Sequence, residues 1–139
     1  MNLSEIAKHA IGLAETIQTY WAVELPKRHR EYPIVHKGES SGPSPPEEKE
    51  LSDFLSNLPG DLVYKLILIM YLGRGDFDAR ELPEQYEAMK ETFKTPEAAT
   101  SQLLGNAPLA EYLSDGLAEL AKNGIDVDNM TLDIARSRR

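Results

Sequence analysis

The sequence predicts an all-α protein, a compact bundle of five to six helices around a buried central helix at about residues 60–72. Apolar residues recur at steps of three and four along most of the chain, and no pair of segments has the pattern of paired strands. The stretch LVYKLILIMYL, residues 62–72, is apolar on every side except at Lys65, which is typical of a buried helix. A buried strand is the alternative for this stretch, but its length and its Leu, Lys and Met residues favour a helix.

Composition limits the classes of protein to which the chain can belong. A chain of 139 residues with 41% hydrophobic and 27% charged residues is typical of one globular domain. It contains no cysteine, which excludes disulfides, zinc–thiolate sites and cysteine nucleophiles. The start, MNLSEIAKHA, lacks a signal-peptide pattern, and the longest apolar run has about half the length of a membrane span. We therefore expect a cytoplasmic protein without membrane contact.

The charge distribution argues against nucleic-acid binding. The net charge is −8, and the whole negative excess lies within residues 47–139. A phosphate backbone requires a positive face that displaces counterions. The two basic clusters, KRHR and RSRR, are short and lack the interleaved aromatic residues of a stacking surface. We expect both clusters to be solvated surface and nucleic acid not to be a partner.

The first predicted element is an amphipathic helix over residues 1–25, packed on the core. Asn2 and Glu5 have the spacing of a capping box. The helix is predicted to end before Pro26, which cannot continue it. Its apolar stripe consists of Ile6, Ala10, Leu13, Ile17, Tyr20 and Trp21.

Residues 26–46 form a connection rich in Pro, Gly and Ser, without a helical period. Long connections of this kind are usually functional or mobile. Within it, Tyr32, Ile34 and Val35 are the apolar residues that can hold the connection to the core.

A helical core is predicted over residues 47–124, followed by an arm or tail at 125–139. Helix two begins with Ser44 as N-cap and Pro45 at the first helical position. The later helices are the central one, one over residues 82–94, a short one from Thr95 to Gly105 and one from Pro108 to Gly124.

The turn YLGRGDFDAREL, residues 71–82, joins the central helix to the next one. Its Arg-Gly-Asp tripeptide occurs in cell-adhesion ligands, but such ligands are secreted and no signal peptide is visible. The structural interpretation is a helix end at Gly73, a second flexible joint at Gly75 and a capping box from Asp78 to Glu81. In this interpretation Arg74 binds free helix carbonyls or pairs with an acid.

The same turn partly matches a calcium loop. Asp76, Asp78 and Glu87 stand at EF-hand positions one, three and twelve. Arg80, however, occupies the position of a ligand oxygen, and Glu81 that of the glycine required for the bend. The three histidines, far apart in the N-terminal region, fit no metal spacing either. We expect no metal and no cofactor.

Two segments resemble a known family. YLGRGDFDARELPEQYEAM and LLGNAPLAEYLSDGLAEL are similar to a small bacterial family of domains of unknown function. Its members combine an apolar helix ending in Leu-Gly-Arg-Gly with a later Leu-Leu-Gly, a proline and a YLxxGL element. Many relatives have tryptophan after the glycine turn, where this chain has Leu82-Pro83. The resemblance covers roughly residues 60–124 and implies a helical fold and a bacterial cytosolic origin, without an activity. The matching positions are 72–77, 103–105, Pro108, Leu109 and 112–117.

The preferred hypothesis is a protein–protein interaction or regulatory module that binds a protein partner or a second copy of itself. A polar-faced bundle without a catalytic motif usually acts through its surface. Aromatic, basic and apolar residues coincide where the first helix ends and can form a contact surface. For Tyr20 and Trp21 themselves the alternative, which we prefer, is that they close the core. The candidate contact residues are Trp21, Lys27, Arg28, Arg30 and Tyr32.

Two alternatives remain at the level of sequence. One is a small-molecule binding or enzymatic domain, with a pocket where polar residues of the two family-like segments meet. Its candidate residues are Arg74, Asp76, Tyr112 and Asp115. The other is a nucleic-acid-binding regulator, which the acidic charge disfavours. No catalytic residue is identified, so enzymatic activity stays open and is not favoured.

Overall fold

A computed structural model of the chain describes residues 2–28, 44–105, 108–130 and 132. Within these ranges it contains six α-helices and no strand, which confirms the predicted all-α class. Short 3-10 turns at Ala79–Glu81 and Val127–Asn129 stand before α4 and after α6. The helices are α1 (Leu3–Arg28), α2 (Pro46–Ser56), α3 (Gly60–Arg74), α4 (Leu82–Phe93), α5 (Pro96–Leu104) and α6 (Leu109–Lys122).

Helix α3 is the centre of the bundle, as predicted. It packs on α4, α5 and above all α6, and it also touches α1. Helix α3 carries apolar residues on most of its sides because neighbouring helices cover most of its surface. Its buried residues are Val63, Tyr64, Leu66, Ile67, Leu68, Ile69, Met70 and Leu72.

Two glycines let the backbones of α3 and α6 touch. A Cβ atom built on Gly73 would overlap the carbonyl oxygen of Tyr112, well inside the 3.0 Å that real Cβ atoms keep. A Cβ atom on Gly116 would overlap the carbonyl oxygen of Ile69 in the same way. Each glycine therefore faces the backbone of the other helix, and no other residue type fits at either position.

This contact corrects the predicted end of the central helix. Gly73 does not terminate α3 but lies inside it, where it forms the crossing with α6. The left-handed residue is Gly75, with φ of 84°, and its N–H donates to the Leu72 carbonyl at 3.1 Å. Glycine is favoured there because side chains disfavour positive φ.

Two residues cap the N-terminus of α1, Asn2 directly before the helix and Asp128 from the segment after α6. Asn2 Oδ1 accepts a hydrogen bond from the Glu5 N–H at 2.9 Å, as the predicted cap requires. Asp128 Oδ1 accepts one from the Ser4 N–H at 2.8 Å, and Asp128 Oδ2 lies 2.9 Å from the Ser4 hydroxyl. A carboxylate is favoured there because the free N–H groups of a helix N-terminus carry partial positive charge.

The chain after α6 is a docked arm as far as the structure describes it. Ile125, Val127 and Met130 pack on the core, and Leu132 is buried within it. Residues 133–139, which belong to the predicted arm or tail, lie outside the described residues.

Two predicted helix boundaries are wrong. Helix α1 does not stop before Pro26 but continues to Arg28. Pro26 lies in the last turn, where the lost N–H removes only one helical hydrogen bond. Helix α2 begins with Pro45 as N-cap and Pro46 at the first helical position, one residue later than predicted. A residue that precedes proline is disfavoured in the helical conformation, and Pro45 is extended, with φ of −68° and ψ of 150°.

The boundaries of α4, α5 and α6 agree with the predicted ones to within two residues. Thr95 caps α5, since its hydroxyl oxygen accepts a hydrogen bond from the Ala98 N–H at 3.2 Å. In the part of the chain that the structure describes, no single helix combines the length and apolar character of a membrane span.

We expect Gly116→Ala to lower the free energy of unfolding by about 3 kcal/mol, because the added methyl group must push α3 and α6 apart. Chemical denaturation followed by circular dichroism measures this change. Gly12→Ala is the matched control, since no atom lies within 4 Å of the position of its Cβ atom in the exposed middle of α1. That variant should gain about 0.5–1 kcal/mol from the better helix propensity of alanine. Equal effects of the two substitutions would contradict the close crossing.

A second expectation concerns the cap between the arm and α1. Asp128→Ala should reduce the free energy of unfolding by about 1 kcal/mol, the usual loss for a helix N-cap. Ser4→Ala should have a smaller effect, because its backbone N–H still donates to Asp128. Urea denaturation of both variants measures the difference. If Ser4→Ala were the more damaging change, the carboxylate would not be the capping group.

Candidate functional site

Trp21 lies at the edge of the bundle, on the part of α1 that faces α2. Its indole N–H donates a hydrogen bond to Glu48 Oε1 at 2.7 Å. Its ring meets the Tyr20 ring edge-on, with 5.0 Å between centroids. The side chain is half-buried, so it neither closes the core completely nor projects freely into solvent.

An open groove of about 710 Å³ runs between α1, α2, the end of α5 and the start of α6. We call it the Trp21 groove. Among its described lining residues, Glu48 is the only charged one. The large apolar residues of the lining are Ile17, Trp21, Leu25, Leu51, Leu104 and Leu109.

Among the described residues, the bundle buries the first half of the apolar stripe of α1 and covers the second half only in part. In that half, Leu3, Ile6, Ala7, Ala10 and Leu13 are buried. The stripe continues through the groove residues Ala14, Ile17, Trp21 and Leu25, which are only partly buried. The helical spacing is the same in both halves, so the second half has the pattern of a helix–helix contact without a complete partner.

One exposed apolar residue lies in the groove. Leu104, at the end of α5, lines it and is 41% exposed. Val23, the other exposed large hydrophobic residue of the described chain at 48%, is not part of the lining; at about 100° per residue it points to the opposite side of α1 from Trp21 and Leu25. Exposed apolar surface in a groove often marks a binding site.

The predicted basic part of this surface is only partly described. Lys27 is exposed, with its Nζ 4.0 Å from Glu24 Oε1. Arg28 ends α1, but its side chain lies outside the described residues, as do Arg30 and Tyr32. Of the five predicted contact residues, the structure thus places the side chains of Trp21 and Lys27, both on α1.

Three of the four predicted pocket residues meet at the end of α3. The Arg74 guanidinium carbon lies 4.9 Å from the centroid of the Tyr71 ring and 5.8 Å from that of Tyr112. Arg74 Nε is 3.5 Å from Asp76 Oδ2. Asp115 lies one turn beyond Tyr112 and lines a neighbouring polar cavity of about 720 Å³. The contacts of Arg74 tie α3 to α6, since cations are attracted to aromatic faces.

The acidic residues of the glycine turn are engaged by neighbouring groups. Arg80 Nη2 lies 3.1 Å from Asp78 Oδ2, and this charged hydrogen bond lowers the pKa of the Asp78 carboxyl. Glu81 Oε2 accepts a hydrogen bond from the Asp78 N–H at 2.8 Å, which completes the predicted capping box. Within the described residues no group of three or more His, Asp or Glu side chains could hold a metal ion.

Sequence reasoning identified Trp21 but missed Glu48, Leu104 and Tyr71. The sequence indicates only that Glu48 is an acidic residue in the first turn of a helix. Its partner Trp21 is 27 residues away, and no local pattern relates the two. The exposure of Leu104 likewise depends on how α5 is placed against α1.

Arg74 should contribute to stability through its contacts with the two rings. Arg74→Ala is expected to lower the free energy of unfolding by about 1–2 kcal/mol. Arg80→Ala is the control, because the Arg80 side chain is 87% exposed and the variant should unfold almost like the original protein. Thermal denaturation of both variants distinguishes them. An Arg80→Ala loss as large as that of Arg74→Ala would mean that Arg74 does not join the two helices.

One comparison with known proteins gives a match. A family model described as "Protein of unknown function (DUF3775)" matches residues 48–121, from the first turn of α2 to the last turn of α6. Searches of curated proteins and of solved structures give no significant match. The matched range contains Gly73, Gly116 and Arg74, whereas α1 precedes it. Since the model matches more than half of the 139 residues, the chain belongs to the DUF3775 family of proteins of unknown function.

Proposed function

We propose that this protein is a protein–protein interaction module whose Trp21 groove receives an amphipathic helix of a partner protein. The observation that supports the proposal is the second half of the α1 stripe, which the described residues cover only in part. Isolated exposed apolar residues are common, but a stripe that continues in register past the end of its buried contact is the pattern of an unfilled helix–helix interface.

The dimensions of the groove suit a short helix. From Ala14 to Leu25 the stripe extends roughly 17 Å along α1, about three turns, at 1.5 Å per residue. A partner helix of three to four turns could lie along it, with apolar residues at steps of three and four as anchors.

The opposite wall supplies complementary apolar surface. Leu51 of α2, Leu104 of α5 and Leu109 of α6 face the stripe across the groove. Leu51 and Leu109 are already buried, whereas Leu104 is 41% exposed. Covering Leu104 would therefore contribute about 1 kcal/mol to association, a fraction of the value for burying a fully exposed leucine. Trp21, held by Glu48, is the type of rigid aromatic residue that often dominates interface energies.

Charge and side-chain contacts support this function over the two alternatives, a nucleic-acid-binding regulator and a small-molecule or enzymatic pocket near Arg74. Nucleic acid is disfavoured by the net charge of −8 and by a carboxylate in the groove itself. At the other candidate site, Arg74 already contacts two tyrosine rings and Asp76, so it works there as a link between α3 and α6.

Site-specific photocross-linking tests the proposal. A photoreactive amino acid at position 104 should link the chain to a second protein, within a segment that has apolar residues at helical spacing. The same amino acid at position 92, on the exposed face of α4, is the control and should not give this product. Purified partner should then bind the original chain and lose at least tenfold in affinity for Leu104→Glu, while Thr92→Glu binds normally.

Two results of this experiment would overturn the proposal. A product in which position 104 links only to a second copy of the same chain would make the groove a dimer contact instead. No product specific to position 104 would show that the groove receives no protein.

A further inference from the structure

We infer that Glu48 makes the Trp21 groove selective for helices that carry a lysine or arginine beside their apolar anchors. This inference rests on the proposed function and specifies the partner's chemistry. Its basis is the presence of one carboxylate, Glu48, among described lining residues that are otherwise uncharged and mostly apolar.

The Glu48 carboxylate is oriented into this position. The Trp21 indole N–H donates a hydrogen bond to Glu48 Oε1 at 2.7 Å, and this hydrogen bond is partly buried. Glu48 also belongs to the first turn of α2, where the positive end of the helix favours a negative group. The hydrogen bond to Trp21 thus fixes the carboxylate at the groove wall.

This carboxylate retains capacity for a cation. A carboxylate has two oxygens and about four acceptor positions, of which the indole uses one. Within the described residues Glu48 forms no ion pair, and its neighbour Lys49 pairs instead with Asp53 at 2.6 Å.

A helix that binds in the groove removes water from the Glu48 carboxylate, and the free energy of binding then depends on whether the helix supplies a counter-charge. A wholly apolar helix would remove water from Glu48 without supplying a counter-charge, and burying an unpaired charge is strongly unfavourable. A helix with a suitably placed lysine or arginine supplies that counter-charge through a charge-assisted hydrogen bond. Glu48 thus selects against uncharged helices as well as for basic ones.

Two model peptides test the inference. Both are amphipathic helices of Leu, Ala and Gln without Trp; one carries a lysine beside the leucine stripe, the other norleucine at the same position. Because Trp21 is the only tryptophan of the chain, its emission reports binding directly. The lysine peptide should bind the original protein at least tenfold more tightly than the norleucine peptide, and this preference should weaken with added salt.

Substitutions at Glu48 identify the residue responsible. Glu48→Gln keeps an oxygen that accepts the Trp21 hydrogen bond but removes the charge, so the preference should fall below threefold. Glu50→Gln, on the same helix at an exposed position outside the groove lining, is the matched control and should keep the full preference. A preference that survived Glu48→Gln would overturn the inference.

The peptide experiment gives different results if only the inference is wrong and if the proposed function is wrong as well. If both peptides bound the original protein equally, the groove would remain a helix site and Glu48 would not be its selectivity residue. If neither peptide bound, the proposed function and this inference would both be overturned.

Discussion

The direct contact between the backbones of α3 and α6 is the constraint on which the rest of this fold depends. Gly73 and Gly116 each stand where any side chain would overlap the facing helix. Their close approach buries α3 from one side and lets α4 and α5 cover it from the others. Each of the two segments singled out in the sequence, residues 72–77 and 112–117, contributes one of these glycines. The tyrosine of the second element, Tyr112, is brought over Arg74 as a consequence.

Helix α1 is attached to this core in an asymmetric way. Its first half is buried, and its N-terminus is held by Asp128 from the arm that follows α6. Its second half extends along α2, where Trp21 and Glu48 form a polar link in an apolar surface. The same long helix therefore serves as a structural element at one end and as a groove wall at the other. We propose that this division underlies the function of the protein.

The sequence predicted local features better than contacts between distant residues. Helical spacing together with Pro and Gly boundaries predicted α4, α5 and α6, because those signals act within a few residues. Length and residue composition predicted α3. The role of Gly73 was misassigned, since a glycine near a helix end looks the same whether it ends the helix or permits a close crossing. At the candidate site the aromatic residue Trp21 was recognisable, but its link to Glu48 was not. That link depends on how α1 lies against α2, which no local pattern specifies.

Amide hydrogen exchange along α1 in the isolated protein tests the central claim most directly. Helical amides exchange slowly where tertiary packing protects them and faster where few contacts do. The account predicts slow exchange from Ile6 to Leu13 and clearly faster exchange from Ile17 to Leu25, with the change falling where the stripe leaves the core. Uniformly slow exchange over the whole helix would contradict it, because the second half of α1 would then already be covered.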